Sequence, residues 1–195
     1  MAAKIAWQLA NAVQFSHDRG ILHRDIKPGN VLLFPQTSDL DERFPFIPRL
    51  GDFGLAKLLE SGDLDAVTSQ LIGTPSYMAP EILMGTAKST DVTADVYALG
   101  ALLYCLVVGQ PPFGAGTAIE ALRRIVERDP VSPEFLIPSV GRDLSVVCMK
   151  CLERSPQRRY ASAGALAEDL NRFLTGAPVL ARQTPLLVRI QKWCR

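Results

Sequence analysis

Chemically active side chains are concentrated in one short segment, His23 to Asn30, of the 195-residue chain. Asp25, Lys27 and Asn30 bring a carboxylate, an amine and an amide together there, and the carboxylate of Asp52 follows 22 residues later. Phosphoryl transfer requires groups of this kind: one that positions the nucleophile, a cation for the phosphate oxygens, and oxygen ligands for a metal ion. The segment therefore predicts phosphoryl-transfer chemistry.

Each of these residues can fill one role in that chemistry. Asp25 can accept or orient the proton of an attacking hydroxyl, and Lys27 can contact the transferred phosphate as a point charge. Asn30 offers a neutral oxygen to Mg²⁺, and Asp52 offers a carboxylate. Because Mg²⁺ takes most of its ligands from phosphate and water, we expect this pair of protein ligands to suffice.

Composition excludes several other classes of protein. A hydrophobic content of 48% is enough to bury a core, which excludes a mostly disordered chain. The formal net charge is +1, from 21 basic and 20 acidic residues, so no nucleic-acid partner is expected. Cys148 and Cys151 form a CxxC pair that could serve metal or redox chemistry. Their place on a predicted amphipathic helix favours buried packing instead.

The hydrophobic pattern predicts a mostly helical chain. Ile5, Leu9 and Val13 recur at helical spacing before Gly20, which predicts a helix over residues 1 to about 19. Residues 95–108 are apolar almost all round, which predicts a helix buried on all sides. The further helical stripes are Ile119, Leu122 and Ile125; Leu144, Val147, Cys148, Cys151 and Leu152; and Leu166, Leu170 and Phe173.

Strands are expected only in the first part of the chain. Ile21–Leu22 and Val31–Leu33 are short strand candidates on either side of the chemically active segment. Residues 35–48 are rich in proline and charge and predict an exposed connection, and residues 61–74 predict a loop. The expected fold class is mainly α with a few short β-strands.

Two later motifs extend the pattern. Asp52 begins the triplet Asp52-Phe53-Gly54, and residues 73–78 stand directly before Ala79-Pro80-Glu81. Taken with the first segment, in this order, they resemble the C-terminal lobe of a eukaryotic-like serine/threonine protein kinase of bacterial type. The resemblance runs from Met1 to about Gly176. It implies a catalytic region that transfers the γ-phosphate of ATP, with Mg²⁺, to serine and threonine hydroxyls of protein substrates.

The resemblance also implies roles at the site. Asp25 is similar to the catalytic base, and Lys27 to the phosphate-contacting lysine of serine/threonine specificity. Asn30 and Asp52 are similar to the Mg²⁺ ligands. Leu32 resembles the apolar floor beneath the adenine ring. The threonine that links the substrate-docking loop to the catalytic residues corresponds to Thr74.

Other positions resemble structural elements of the family. Glu81 and Arg159 correspond to a buried ion pair that anchors the activation segment. Asp95 resembles the aspartate that holds the backbone of the catalytic loop. His23 and Phe53 resemble residues of the hydrophobic spines.

Regulation is implied by resemblance as well. The arginine before the catalytic aspartate, Arg24, commonly pairs in the family with a phosphorylated residue of the activation loop. That loop follows Gly54 in this chain. Thr68 and Ser69 are the nearest candidates for phosphorylation.

The 195 residues depart from the family in one large respect. They contain no Gly-rich phosphate loop, no strand lysine and no partner glutamate, so we expect the N-terminal lobe to be absent. Two hypotheses follow. The chain is the truncated catalytic region of a kinase, inactive without its missing lobe, or it is a non-catalytic module that binds substrates or partners.

Residues 177–195 form a basic tail with interspersed apolar side chains. The tail predicts either a loosely packed segment or a juxtamembrane segment of a longer parent protein. No secretory signal pattern is visible at the start of the chain. We therefore expect a cytoplasmic location, with the cytoplasmic face of a membrane as the alternative for the parent.

Overall fold

A computed structural model describes residues 1–35, 45–53, 75–84, 91–114 and 118–183 of the chain. In these ranges helices predominate, and the two strands form one antiparallel sheet. The helices are α1 (Ala2–His17), α2 (Pro80–Leu83), α3 (Thr93–Val108), α4 (Ala118–Glu127), α5 (Pro133–Leu136), α6 (Gly141–Cys151) and α7 (Ala163–Leu174). The strands are β1 (Val31–Pro35) and β2 (Phe46–Leu50). The expected class, mainly α with a few short strands, is confirmed.

Helix α1 forms because its apolar residues fall on one face. Ile5, Leu9 and Val13 are buried at successive four-residue steps and pack against α3 and α7. The chain turns away after the helix through Gly20, whose φ of 72° is readily reached only by a residue without a side chain. The segment with the candidate catalytic residues therefore leaves from a fixed helix end.

Helix α3 lies at the centre of the core. Every residue from Asp95 to Tyr104 is buried, and the helix ends at Gly109 in the left-handed conformation. It contacts α1, α6 and α7. Among the described residues, no helix combines the length and the hydropathy that a membrane span requires.

The two strands form a hairpin, and half of it was not predicted. β1 pairs with β2 so that Val31 faces Leu50 and Leu33 faces Pro48. The predicted connection over residues 35–48 is therefore too long, since β2 begins at Phe46. A proline has no amide hydrogen to donate, so it is tolerated in an edge strand such as β2. Residues 36–44 lie outside the described residues.

The predicted strand at Ile21–Leu22 is wrong. The amide of Ile21 donates to the carbonyl oxygen of Ser16, which closes the end of α1. Two later amides, of His23 and Arg24, donate to the side chain of Asp95. Three of the four amides from Ile21 to Arg24 are therefore used outside a strand ladder.

The folded part of the chain continues beyond Gly176. Val179 and Ala181 are buried, and the buried carboxylate of Asp169 accepts hydrogen bonds from the amides of Leu180 and Ala181 at 2.6 and 2.9 Å. Val179 and Ala181 therefore pack against the core, while the domain boundary expected after Gly176 stays a prediction. The rest of the expected tail, residues 184–195, lies outside the described residues.

Helices α3 and α6 pack closely against each other at Gly100. A Cβ atom added there would lie 2.2 Å from the Cβ of Cys151. Burial raises the pKa of the thiols of Cys148 and Cys151, so both remain protonated and pack as small apolar residues. Buried packing of the CxxC pair is confirmed.

The close crossing predicts the effect of Gly100→Ala. Alanine favours a helix over glycine by about 1 kcal/mol. We nevertheless expect the free energy of unfolding to fall by about 1–3 kcal/mol, because the new methyl group overlaps Cys151. Urea unfolding followed by circular dichroism measures this change. In a double-mutant cycle with Cys151→Gly, which removes the opposing Cβ, the losses should be far from additive. A stabilising Gly100→Ala would contradict the close crossing.

Candidate active site

Two donors converge on one oxygen of Asp25. Lys27 Nζ lies 2.8 Å from Asp25 Oδ2, and Asn30 Nδ2 donates to the same oxygen at 2.9 Å. Asn30 Nδ2 also donates to the backbone carbonyl oxygen of Asp25 at 2.8 Å. The segment therefore folds back on itself. Both donors bind Oδ2 and hold the carboxylate in one orientation, while the other oxygen, Oδ1, is not bound by either of them.

The backbone next to Asp25 has an unusual conformation that a buried carboxylate supports. Arg24 has a φ of 64°, a left-handed conformation that costs a non-glycine residue roughly 1–2 kcal/mol. Asp95, at the start of α3, accepts the amide hydrogens of His23 and Arg24, each at 2.8 Å. Because both amides bind the same side chain, the loop is held to α3 at the turn that precedes Asp25.

His23 joins this loop to the segment that carries Asp52. Its Nδ1 accepts the amide hydrogen of Asp25 at 3.3 Å, so Nε2 carries the ring proton and donates to the carbonyl oxygen of Gly51 at 3.0 Å. The ring also packs on Phe53, with centroids 4.4 Å apart. A second link is the hydrogen bond from the Gly51 amide to the carbonyl oxygen of Asn30 at 2.8 Å.

A buried ion pair joins α2 to the region after α6. The guanidinium of Arg159 donates to both carboxylate oxygens of Glu81, at 2.6 and 2.7 Å. The same guanidinium donates to the carbonyl oxygens of Thr93, Glu153 and Arg154. Arg159 thus gathers three parts of the chain around one buried charge.

Comparison with known proteins shows the family to which this chain belongs. A profile of the protein kinase domain matches residues 1–170. The chain belongs to the protein kinase family. Its relatives include the serine/threonine-protein kinase PkaA of Streptomyces coelicolor, at 38% identity over 185 residues, or 95% of this chain and 32% of the relative. The serine/threonine-protein kinase PknB of Mycobacterium tuberculosis is 33% identical over 178 residues, 91% of this chain and 27% of the relative.

By family the chain is a bacterial serine/threonine protein kinase, which confirms the family that its motifs resemble. It spans about a quarter to a third of the length of these curated relatives. Protein kinases generally use ATP and Mg²⁺ and act on protein substrates. The candidate residues of this chain can therefore be compared with what kinase chemistry needs.

The candidate metal ligands of the kinase site fit the chemistry of Mg²⁺. Asn30 uses its amide nitrogen on Asp25, which leaves its Oδ1 as the atom to offer to a cation. Asp52 is exposed, has a φ of 58° and follows Gly51, whose amide donates to the carbonyl oxygen of Asn30. A carboxylate and an amide oxygen are the hard ligands that this ion prefers.

The remaining candidates are divided between exposed and undescribed parts of the chain. Leu32 lies on β1 with 52% of its surface exposed, and its expected place beneath the adenine ring stays a prediction. Gly54, Thr68, Ser69 and Thr74 lie outside the described residues, so their expected roles stay predictions.

One residue at the site was missed from the sequence. His17 Nε2 lies 2.8 Å from Asp95 Oδ2, and its side chain is only 3% exposed. A signal was available, because His17 continues the buried four-residue register of Ile5, Leu9 and Val13. A polar residue in that register must have a partner in the core.

The burial of His23 predicts how stability depends on pH. Burial lowers the pKa of His23 below its usual 6.5, despite the opposing influence of Asp95 and Asp25. Well above pH 6.5 the ring is neutral in both the folded and the unfolded chain. As the pH falls below 6.5, the unfolded chain binds a proton that the folded chain does not, so this residue makes folding less favourable until its folded pKa is passed.

We expect the stability difference between wild type and His23→Asn to shrink as the pH falls from 7.5 to about 5. Urea unfolding at several pH values measures this difference. Asparagine does not titrate, so the comparison cancels the contributions of the other ionisable groups. A difference that grows toward acid pH would mean that the ring is protonated in the folded chain.

Proposed function

We propose that this chain is the catalytic-loop lobe of a protein serine/threonine kinase, and that it contributes the residues that transfer the γ-phosphate of ATP to serine and threonine hydroxyls of proteins. The convergence of Lys27 and Asn30 on Asp25 Oδ2 carries the proposal. It leaves Asp25 Oδ1 to receive the proton of the substrate hydroxyl. A carboxylate held by two donors needs little reorganisation when that hydroxyl approaches.

The proposed reaction is a single displacement at phosphorus. The substrate oxygen forms a bond to the γ-phosphorus, the bond from that phosphorus to the bridging oxygen breaks, and ADP leaves with the electron pair. Asp25 Oδ1 takes the hydroxyl proton. Lys27, bound to the opposite oxygen of the carboxylate, neutralises charge on the transferred group. Mg²⁺, which Asn30 and Asp52 would hold, neutralises the other phosphate oxygens when it is bound.

In this proposal, turnover needs a further domain that covers the nucleotide from the side opposite the hairpin. On one face of the hairpin, Leu32, Phe34 and Ile47 are between 39% and 52% exposed. An apolar face of this kind suits contact with an adenine ring and with a further domain. We therefore propose that the 195 residues alone bind ATP and Mg²⁺ weakly and do not turn over.

The exposed hairpin face also keeps the second hypothesis in view. A chain that binds substrates or partners without catalysis would use the same apolar surface. The two hypotheses differ in whether the catalytic loop is competent once the nucleotide is covered. We also propose that Thr68 or Ser69 is phosphorylated and that the phosphate then pairs with Arg24. Membrane tethering is proposed for a longer parent protein.

A chimera distinguishes these hypotheses. The Gly-rich-loop lobe of an active serine/threonine kinase is joined to Met1, and transfer from γ-labelled ATP to casein is compared with transfer by the chain alone. We expect label on serine and threonine with the chimera and none with the chain. A folded chimera without transfer would favour the binding module. Transfer by the chain alone, or micromolar ATP affinity in calorimetry, would show that the chain needs no further domain to cover the nucleotide.

A further inference from the structure

Three parts of the chain meet at the carboxylate of Asp95. His17 Nε2 from the end of α1 lies 2.8 Å from Oδ2, and the amide of His23 donates to the same oxygen at 2.8 Å. The amide of Arg24 donates to Oδ1 at 2.8 Å. The side chains of His17 and Asp95 are 3% and 2% exposed. The carboxylate is thus shielded from water and depends on these donors for its orientation.

His17 differs from the two backbone donors in what it fixes. The amides of His23 and Arg24 belong to the loop that the carboxylate holds, so they cannot by themselves anchor that carboxylate to the rest of the molecule. His17 belongs to α1, which packs along its apolar face against α3 and α7. A hydrogen bond to a charged partner in a buried place is also among the stronger ones.

The second ring nitrogen shows that packing alone does not explain this histidine. His17 Nδ1 is buried and has no hydrogen-bond partner among the described residues. An unpartnered polar atom in the interior costs stability, and an apolar side chain in the same register would avoid that cost. What histidine supplies here, and leucine could not, is the contact from Nε2 to Asp95.

We propose that His17 is a positioning residue for the catalytic loop. By orienting Asp95, it holds the backbone of His23 and Arg24 in the left-handed turn that places Asp25. The hold on the loop is a property of the chain itself. Its effect on phosphoryl transfer rests on the proposed function.

Amide hydrogen exchange on the 195-residue chain, followed by NMR, tests the hold directly. We compare His17→Leu, which removes the donor, with His17→Gln, whose terminal amide restores one. Gln14→Leu is the matched control. It breaks a contact of the same helix, in which Gln14 Oε1 accepts the amide hydrogen of Gly164, and this contact does not reach Asp95. In His17→Leu we expect exchange at the His23 and Arg24 amides to accelerate about tenfold or more, relative to amides in the middle of α3.

His17→Gln should restore most of the protection of the His23 and Arg24 amides. In Gln14→Leu, exchange at these two amides relative to the middle of α3 should stay as in the wild type. Unchanged exchange at His23 and Arg24 in His17→Leu would overturn the proposal. So would a uniform acceleration across α3, because that pattern reports general destabilisation.

The catalytic consequence is measured separately in the chimera. We expect His17→Leu to lower kcat about tenfold to a hundredfold with little change in KM for ATP, and His17→Gln to recover most of it. If the amides respond but no chimera turns over, the positioning role stands and the proposed function fails. If kcat falls while the amides do not respond, the route through Asp95 is wrong.

Discussion

Arg159→Ala is expected to lower the free energy of unfolding by about 3–5 kcal/mol, because it leaves the buried carboxylate of Glu81 without its cation. The side chains of Arg159 and Glu81 are 0% and 9% exposed, so water can replace few of the lost donors. The carbonyl oxygens of Thr93, Glu153 and Arg154 lose the same guanidinium. Urea unfolding followed by circular dichroism measures the loss.

Two further variants define what this result means. Arg123→Ala removes the arginine of an exposed pair with Glu127 on α4 and should leave stability unchanged within error. Replacing both Glu81 and Arg159 with methionine should cost less than Arg159→Ala alone, because no buried charge is left unpaired. A loss from Arg159→Ala as small as that from Arg123→Ala would show that the buried carboxylate finds water or another partner.

Asp25→Asn is expected to lower kcat of the chimera by about 10²–10⁴-fold. Asparagine keeps the size of the side chain, but it cannot take the proton of the substrate hydroxyl. It also loses the charge that holds Lys27 Nζ at 2.8 Å. Initial rates over a range of ATP and casein concentrations separate kcat from KM.

The change should leave the fold intact, since the backbone of the loop is held through Asp95 and His23 and not through the Asp25 side chain alone. Glu168→Gln, which neutralises an exposed carboxylate on α7, serves as the control and should retain full activity. Activity near the wild-type level in Asp25→Asn would remove Asp25 from the role of base.

The sequence predicted those features that depend on short separations. The stripe of Ile5, Leu9 and Val13 was sufficient for α1, because four-residue spacing places side chains on one helix face. Likewise Lys27 and Asn30 lie so close to Asp25 in sequence that a tight turn brings them onto its carboxylate. The contacts at this carboxylate join residues that are close in sequence, and the types of these residues indicate which chemistry each can perform.

Features that depend on distant contacts were harder to predict. β2 was missed because Pro48 weakens the strand pattern, and only pairing with β1 shows where it begins. The packed segment around Val179 has no periodicity, and it is held by Asp169 on the preceding helix. The pairing of Glu81 with Arg159 was expected from family resemblance, since their separation of 78 residues gives no local signal.

The Asp95 contacts also bear on the order of events during protein synthesis. Asp95 lies 78 residues from His17 and 72 and 71 residues from His23 and Arg24. A nascent chain on the ribosome therefore contains Asp25, Lys27 and Asn30 well before residue 95 has emerged to shape the turn that places them. The contacts that hold this turn can form only after Asp95 has emerged, so we expect the geometry around Asp25 to be completed after that point.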